Sequence, residues 1–165
     1  MTMPAALDRY YTRQEVLAFP DDGHRYELVR GEVRVSPSPR WTHQIVVGNL
    51  SAMLREYVRA NGLDQALLPP ADISFGGRDD VLVQPDVFVV GPEYKGEQPW
   101  EAIRTLTLVA EVLSPTTTRF DRFTKRRLYQ EMLVPVYWIV DAAIRRVEVW
   151  APTSVTPLAE RERVA

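Results

Sequence analysis

The sequence predicts an α/β (α+β) domain, a mixed β-sheet core flanked by helices. Three observations predict it. Leu106-Thr-Leu-Val-Ala-Glu-Val-Leu113 is the most apolar run in the chain and suits a central strand buried on both faces. Two segments with helical apolar spacing, about Trp41 to Ala60 and about Arg119 to Met132, alternate with short strand-like runs. The resulting order of helix, hairpin, helix, strands, helix, strands suits a layered α/β architecture.

Along the chain, Thr12-Arg-Gln-Glu15 reads as a capping box that opens a short helix ending by Pro20. Tyr26–Val29 and Glu32–Val35 are strand-like and joined by Arg30-Gly31, the signature of a tight hairpin. Ser36-Pro-Ser-Pro39 breaks the second strand. In the long helix Val46, Leu50, Met53, Leu54 and Tyr57 share one face, and Asn61-Gly62 supplies the stop. A strand region is expected around Ile73-Ser-Phe75, and another from Val81 to Val90. Pro85 interrupts the latter and implies an edge, a bend or a strand start. Gly91 to Arg104 reads as loop with a short helix. After the apolar strand, Ser114-Pro-Thr-Thr-Thr118 can cap the next helix. Val136–Val140 and Arg145–Trp150 form a final strand pair around Asp141-Ala-Ala, and the tail from Ala151 is poorly patterned. No repeat or linker divides the chain, so residues 1–165 are expected to form one domain with a core of about 10–150.

Composition narrows the function classes. With 165 residues, 45% hydrophobic and 25% charged, the chain can bury a real core. There is no cysteine, so a metal would need oxygen or imidazole ligands. No apolar run is long enough for a membrane span, and Met1-Thr-Met-Pro does not open a secretory signal, so a cytoplasmic location is the default expectation. The formal net charge of −2 argues against a tight nonspecific DNA binder. It leaves room for a local basic surface, or for carboxylates whose charge a divalent cation offsets.

The chemistry centres on two carboxylates. Glu111 interrupts the apolar run, and an isolated buried carboxylate is costly unless paired, hydrogen-bonded or bound to metal. Asp86 precedes Val87-Phe-Val-Val90 and poses the same problem, although a carboxylate at a strand end is ordinarily solvated or paired with arginine. Two such groups on adjacent strands could converge on one hard cation. Asp121, Lys125 and Tyr129 are spaced by four and share a helix face, with Leu128 and Met132 beside them. Lys125 is therefore either half of an exposed Asp121–Lys125 pair or an ammonium delivered to the carboxylates. His43 shares the face of Val46 and Leu50, where a packing role competes with a site role. Glu27 faces away from Tyr26 and Leu28, either into solvent or into the site. Gln84 is a weaker candidate. Arg119, Arg122, Arg126 and Arg127, with Arg40, Arg55 and Arg59 of the long helix, are a solvated face or a guide for a phosphate backbone. Trp41, Trp100 and Trp138 read as packing residues, Trp138 near the core or a subunit interface.

Taken together, Gln84-Pro-Asp86-Val-Phe-Val-Val90, Leu108-Val-Ala-Glu111-Val-Leu-Ser-Pro-Thr116, Asp121-x3-Lys125-x3-Tyr129 and Val136-Tyr-Trp-Ile-Val-Asp141 resemble the Uma-two family of endonucleases. So do Tyr26-Glu-Leu-Val-Arg-Gly-Glu32, Ser36-Pro-Ser-Pro39 and His43, and the resemblance covers roughly residues 10–150. That family belongs to the restriction-endonuclease-like, PD-(D/E)xK superfamily. The resemblance implies a mixed four- or five-stranded core sheet flanked by helices. It also implies an Mg2+ site, with Mn2+ as substitute, held by Asp86, Glu111 and the backbone carbonyl of Val112. Lys125 would be catalytic beside them, with Glu27, His43, Asp121 and Tyr129 in support. It further implies DNA as partner and a homodimer as the expected assembly. The superfamily lysine stands two residues after the second carboxylate, where this chain has Leu113. The resemblance assigns its place to Lys125.

Metal-dependent DNA hydrolysis is thus the first expectation. A binding module on the same fold without catalysis is the second, favoured by the acidic balance and by Leu113. Hydrolysis of another phosphorylated substrate is a third.

Overall fold

The computed structural model describes residues 9–62 and 65–162. The reading of Met1–Pro4 and the last three residues of the expected domain lie outside them.

The first described element is α1 (Arg13–Leu17), opened by the predicted capping box: Thr12 and Glu15 bond reciprocally through side chain and backbone. β1 (Arg25–Val29) and β2 (Glu32–Ser36) pair antiparallel. Their turn is Arg30-Gly31, with φ of 53° and 80°, the two positive values a tight type I′ turn needs. α2 (Trp41–Ala60) follows, then the short β3 (Ala66–Leu67), β4 (Val81–Leu82) and β5 (Val87–Val90). A 3-10 turn, Trp100–Ala102, leads into β6 (Leu106–Val112). A π-helical stretch, Phe120–Lys125, runs directly into α3 (Arg126–Glu131). β7 (Val136–Asp141), β8 (Arg146–Trp150) and β9 (Ala159–Glu162) complete the described chain.

The strands form two sheets, one of order β2-β1-β4 and one of order β3-β5-β6-β7-β8-β9. The larger sheet is mixed: β6 pairs parallel with β7 and antiparallel with β5. The apolar run therefore is an interior strand, as its composition predicts. Side-chain alternation sorts the core into two layers. Phe88, Val90, Val109, Tyr137 and Ile139 pack with Leu128 and Tyr129 of α3. Val87, Val89, Ala110, Val112 and Val140 pack with Leu50, Leu54 and Val58 of α2.

Several expectations are corrected. The sheet has six strands, not four or five, because the poorly patterned tail supplies β9 as an edge partner of β8. An edge strand buries little, so its sequence carries no apolar alternation. Val81 to Val90 is not one strand: Pro85 sends β4 to the small sheet and β5 to the large one. Ile73 makes only a single bridge, to Val83, and Phe75 has a φ of 49°, which no strand residue adopts. Ala66–Leu67, which carries no pattern, is paired instead. On α2 the sheet covers the row Leu50, Leu54, Val58, so Met53 (54% exposed) and Tyr57 (59%) fall outside it. Trp41 is 81% exposed and packs against no core. The helix expected over Arg119–Met132 is widened at its start. The Asp121 carbonyl accepts from the Arg126 amide and from Tyr137 Oη at 3.0 Å, an insertion of the kind that distorts a helical ladder. Among the described residues no helix is long and apolar enough to cross a membrane.

Candidate functional site

The two carboxylates meet because of strand register. β5 and β6 pair Val87 with Ala110, so one further step sets Asp86 across from Glu111. Both have the parity of the α3-facing side, Asp86 with Phe88 and Glu111 with Val109. The Val112 amide donates to Asp86 Oδ2 at 2.9 Å, so the carboxylate takes over a backbone partner where Pro85 ends regular pairing.

The hairpin β1–β2 supplies a second wall. Arg25 and Glu27 alternate on β1, and their cross-strand partners are Ser36 and Arg34. Arg25 Nη1 donates to Asp86 Oδ1 at 3.0 Å, and Glu27 Oε1 accepts from the Gln84 amide at 2.9 Å. The Gln84 side chain turns away to Asp72, so only its backbone serves the site. From the first turn of α2, His43 Nε2 lies 3.1 Å from Asp86 Oδ2. His43 thus contacts Asp86 at the candidate site, and its Nδ1 is buried without a partner among the described residues.

The third wall is helical. The π-helical stretch turns Asp121 and Lys125 inward together, and Lys125 is 1% exposed. Its Nζ lies 2.5 Å from Glu111 Oε1, 2.8 Å from Glu27 Oε1 and 3.9 Å from Asp121 Oδ1. Tyr129, one turn on, donates to Glu111 Oε1 at 2.9 Å. The exposed-pair reading of Asp121 and Lys125 is thus excluded. Lys125 reaches Glu111 from the helix, while the strand position two residues after Glu111 holds Leu113.

These groups line an open cavity of about 300 Å3 that also takes in Ser36, Arg40 and Val112. Every residue singled out as catalytic or supporting, namely Asp86, Glu111, Lys125, Glu27, His43, Asp121 and Tyr129, is at this cavity or bonded to a residue that is. Arg25 and Ser36 were not singled out from the sequence. Their signal is parity: each alternates with a site residue or faces one across the hairpin.

The electrostatics are uneven. Burial pushes Asp86 up, but the His43 hydrogen bond and the charges of Arg25, His43 and Lys125 outweigh it and hold the carboxyl at about 2. Burial raises Glu111 well above the usual carboxylate range, against the pull of Lys125. Burial likewise raises Asp121 to about 6. For Lys125 the desolvation cost is outweighed by Glu111, Glu27, Asp121 and Asp86, so its ammonium is held charged. Four buried carboxylates, Glu27, Asp86, Glu111 and Asp121, thus share one buried ammonium and the partly buried Arg25. Were all four ionised, they would exceed these two cations by two charges; Arg40 is exposed and lines the same cavity.

Of the arginines read as a solvated face, Arg122 instead pairs with Glu148 and Asp141, and Arg126 lies over the Trp150 ring. Arg119 and Arg127 remain exposed.

Comparison with known proteins bears on the family and the fold. No curated protein matches the chain in sequence. A crystal structure described as "a putative nuclease belonging to DUF820 from Anabaena variabilis ATCC 29413" shares its fold. The TM-score is 0.71 at 21% identity, covering 92% of this chain and 84% of that one. The model of the Uma2 family, described as "Putative restriction endonuclease", matches residues 13–163. The chain therefore belongs to the Uma2 family, a family of nuclease type on a mixed α+β fold.

Proposed function

We propose that this protein hydrolyses phosphodiester bonds in DNA with Mg2+ as cofactor and Mn2+ as a competent substitute. The observation that carries the reading is the convergence of four buried carboxylates, Glu27, Asp86, Glu111 and Asp121, on one cavity. Buried carboxylates in excess of their counter-charges cost stability, and such arrangements cluster at functional sites. Burial holds Glu111 and Asp121 toward their protonated forms, and a bound divalent cation would favour the ionised ones.

The donor set fits such an ion. Mg2+ takes hard oxygen ligands, needs only one or two carboxylates, and completes its shell with water and phosphate oxygens. Glu111 meets Tyr129 and Lys125 through Oε1, which leaves Oε2 without a donor among the described residues. Asp86 is held ionised, and Val112 lines the same cavity. Asp86 and Glu111, with the Val112 carbonyl, would hold the ion. Its contribution when bound would be to activate water and offset charge on the phosphate.

The chain's own groups do the rest. Lys125 uses two of its three N–H donors on Glu111 and Glu27 and keeps the third for the attacking water or a phosphate oxygen. Glu27, tied to the Gln84 amide, and Tyr129, tied to Glu111, fix the ammonium and the carboxylate it serves. Arg25 and His43 hold Asp86 in its charged form and orientation. Ser36 Oγ, buried without a partner, and Arg40 are available to phosphate oxygens at the cavity.

Asp86→Ala should abolish Mg2+-dependent cleavage of plasmid DNA. Full activity in that variant would overturn the assignment. A second reading, a binding module without catalysis, is favoured by the acidic balance, by Leu113 and by one structural observation: among the described residues no three His, Asp or Glu side chains form a ready-made metal cluster. Calorimetric titration separates the two. Mg2+ or Mn2+ binding that Asp86→Ala removes supports the nuclease; DNA binding without metal binding supports the module.

A further inference from the structure

Beside the catalytic cavity lies a second one, of about 470 Å3, within the range of small-molecule sites. Its walls are Arg34 on β2, Thr116 in the loop after β6, and Arg119, Phe120, Phe123 and Arg127 on the helix. Thr116 lines both cavities, so the two adjoin. No carboxylate lines the second.

The helix sorts its arginines. Arg122 and Arg126 are engaged by Glu148, Asp141 and Trp150. Arg119 and Arg127, which face the second cavity, make no ion pair, hydrogen bond or ring contact with the described residues. Between them at helical spacing stands Phe123, a large apolar side chain left 52% exposed. Arg34 donates from Nη2 to the Thr116 carbonyl, while its Nε is buried with no acceptor. The Arg126 guanidinium lies 5.9 Å from the Phe123 ring, which still lines the cavity. A nucleotide uses all three features: its base stacks on an aromatic face, and its phosphate takes guanidinium donors.

We propose that this second cavity receives an unstacked nucleotide of the DNA strand next to the scissile phosphate. Its base lies against Phe123 and its phosphate among Arg34, Arg119 and Arg127. The inference rests on the DNA-cleaving reading and adds to it a preference for strands that are unpaired beside the cut. Stacking on a ring tolerates any base, so the contact positions the strand without reading sequence.

The test is fluorescence anisotropy of the full chain with single-stranded and fully paired DNA oligonucleotides, each carrying one 2-aminopurine, with Ca2+ in place of Mg2+. Phe123→Ala should weaken single-strand binding about 5- to 150-fold, the range for losing one stacked base. It should also abolish quenching of the 2-aminopurine, and Phe123→Tyr should restore both. Arg127→Ala should lower the slope of log K against log[salt] by about 0.7. Both residues are exposed, so thermal unfolding should be unchanged. Unaltered single-strand binding in Phe123→Ala overturns the inference, as does an equal loss on paired DNA without any quenching change. Either result alongside wild-type cleavage leaves the nuclease reading standing. A wild-type protein that binds no oligonucleotide sinks both. One that binds and never cleaves sinks the nuclease reading and, with it, the placement beside a scissile phosphate, whatever the stacking result.

Discussion

Replacing Lys125 with methionine tests the centre of the site, because Met keeps most of the apolar stem and removes only the charge. Glu111 and Glu27, whose side chains are 2% and 3% exposed, would lose the ammonium that lies 2.5 and 2.8 Å away. Removing one partner of a buried ion pair costs about 3–5 kcal/mol, because the other charge stays buried and unpaired. In a domain of this size that corresponds to a fall in Tm of about 6–20 °C. The loss must depend on pH in a fixed direction. Burial already raises Glu111 above its ordinary value of 4.5, and Lys125 is the main force opposing that rise. Without the ammonium the folded-state pKa climbs further. A raised carboxylate favours the folded state only while protonated, so the deficit of Lys125→Met should grow from pH 5 to pH 8. Denaturant unfolding of both proteins across that range, in metal-free buffer, measures it. A deficit below about 1 kcal/mol that stays flat with pH would refute a buried ammonium that opposes the rise of Glu111.

Other expectations follow from the same geometry. Asp121, raised by burial to about 6 from an ordinary 3.8, should make the folded protein lose about 3 kcal/mol as pH rises through that window. Stability curves of wild type and Asp121→Asn in EDTA should diverge between pH 4 and 6, and parallel curves would contradict the raised value. Tyr129→Phe removes a buried donor to Glu111 Oε1 and should cost about 1.5–3 kcal/mol in denaturant unfolding, with slower cleavage; a change under 0.5 kcal/mol would mean the bond contributes little. Gly31→Ala puts a side chain at a φ of 80° in the hairpin turn and should cost about 1–2 kcal/mol. An unchanged Tm would show that the turn relaxes freely.

Local chemistry made much of the fold legible. The capping box at Thr12, the Arg30-Gly31 turn, the long helix and the apolar strand around Glu111 each depend on contacts within a few residues. The structure has each of them where the pattern puts it. Edge and short strands were not legible, since β3 and β9 owe their existence to a partner distant in the chain. The same division holds at the site. By itself the sequence determined that Glu111 needed an electrostatic partner, because a carboxylate in so apolar a strand is otherwise too costly. It could not determine which partner. Leu113 occupies the place where a strand lysine would have settled the matter locally. Only tertiary structure decided it, by setting Asp86 across from Glu111 and laying the hairpin beside them. The widened helical turn then brings an ammonium 14 residues along the chain into contact with Glu111 and Glu27. Charge complementarity in a buried site acts over a few ångströms in space and is indifferent to separation in sequence.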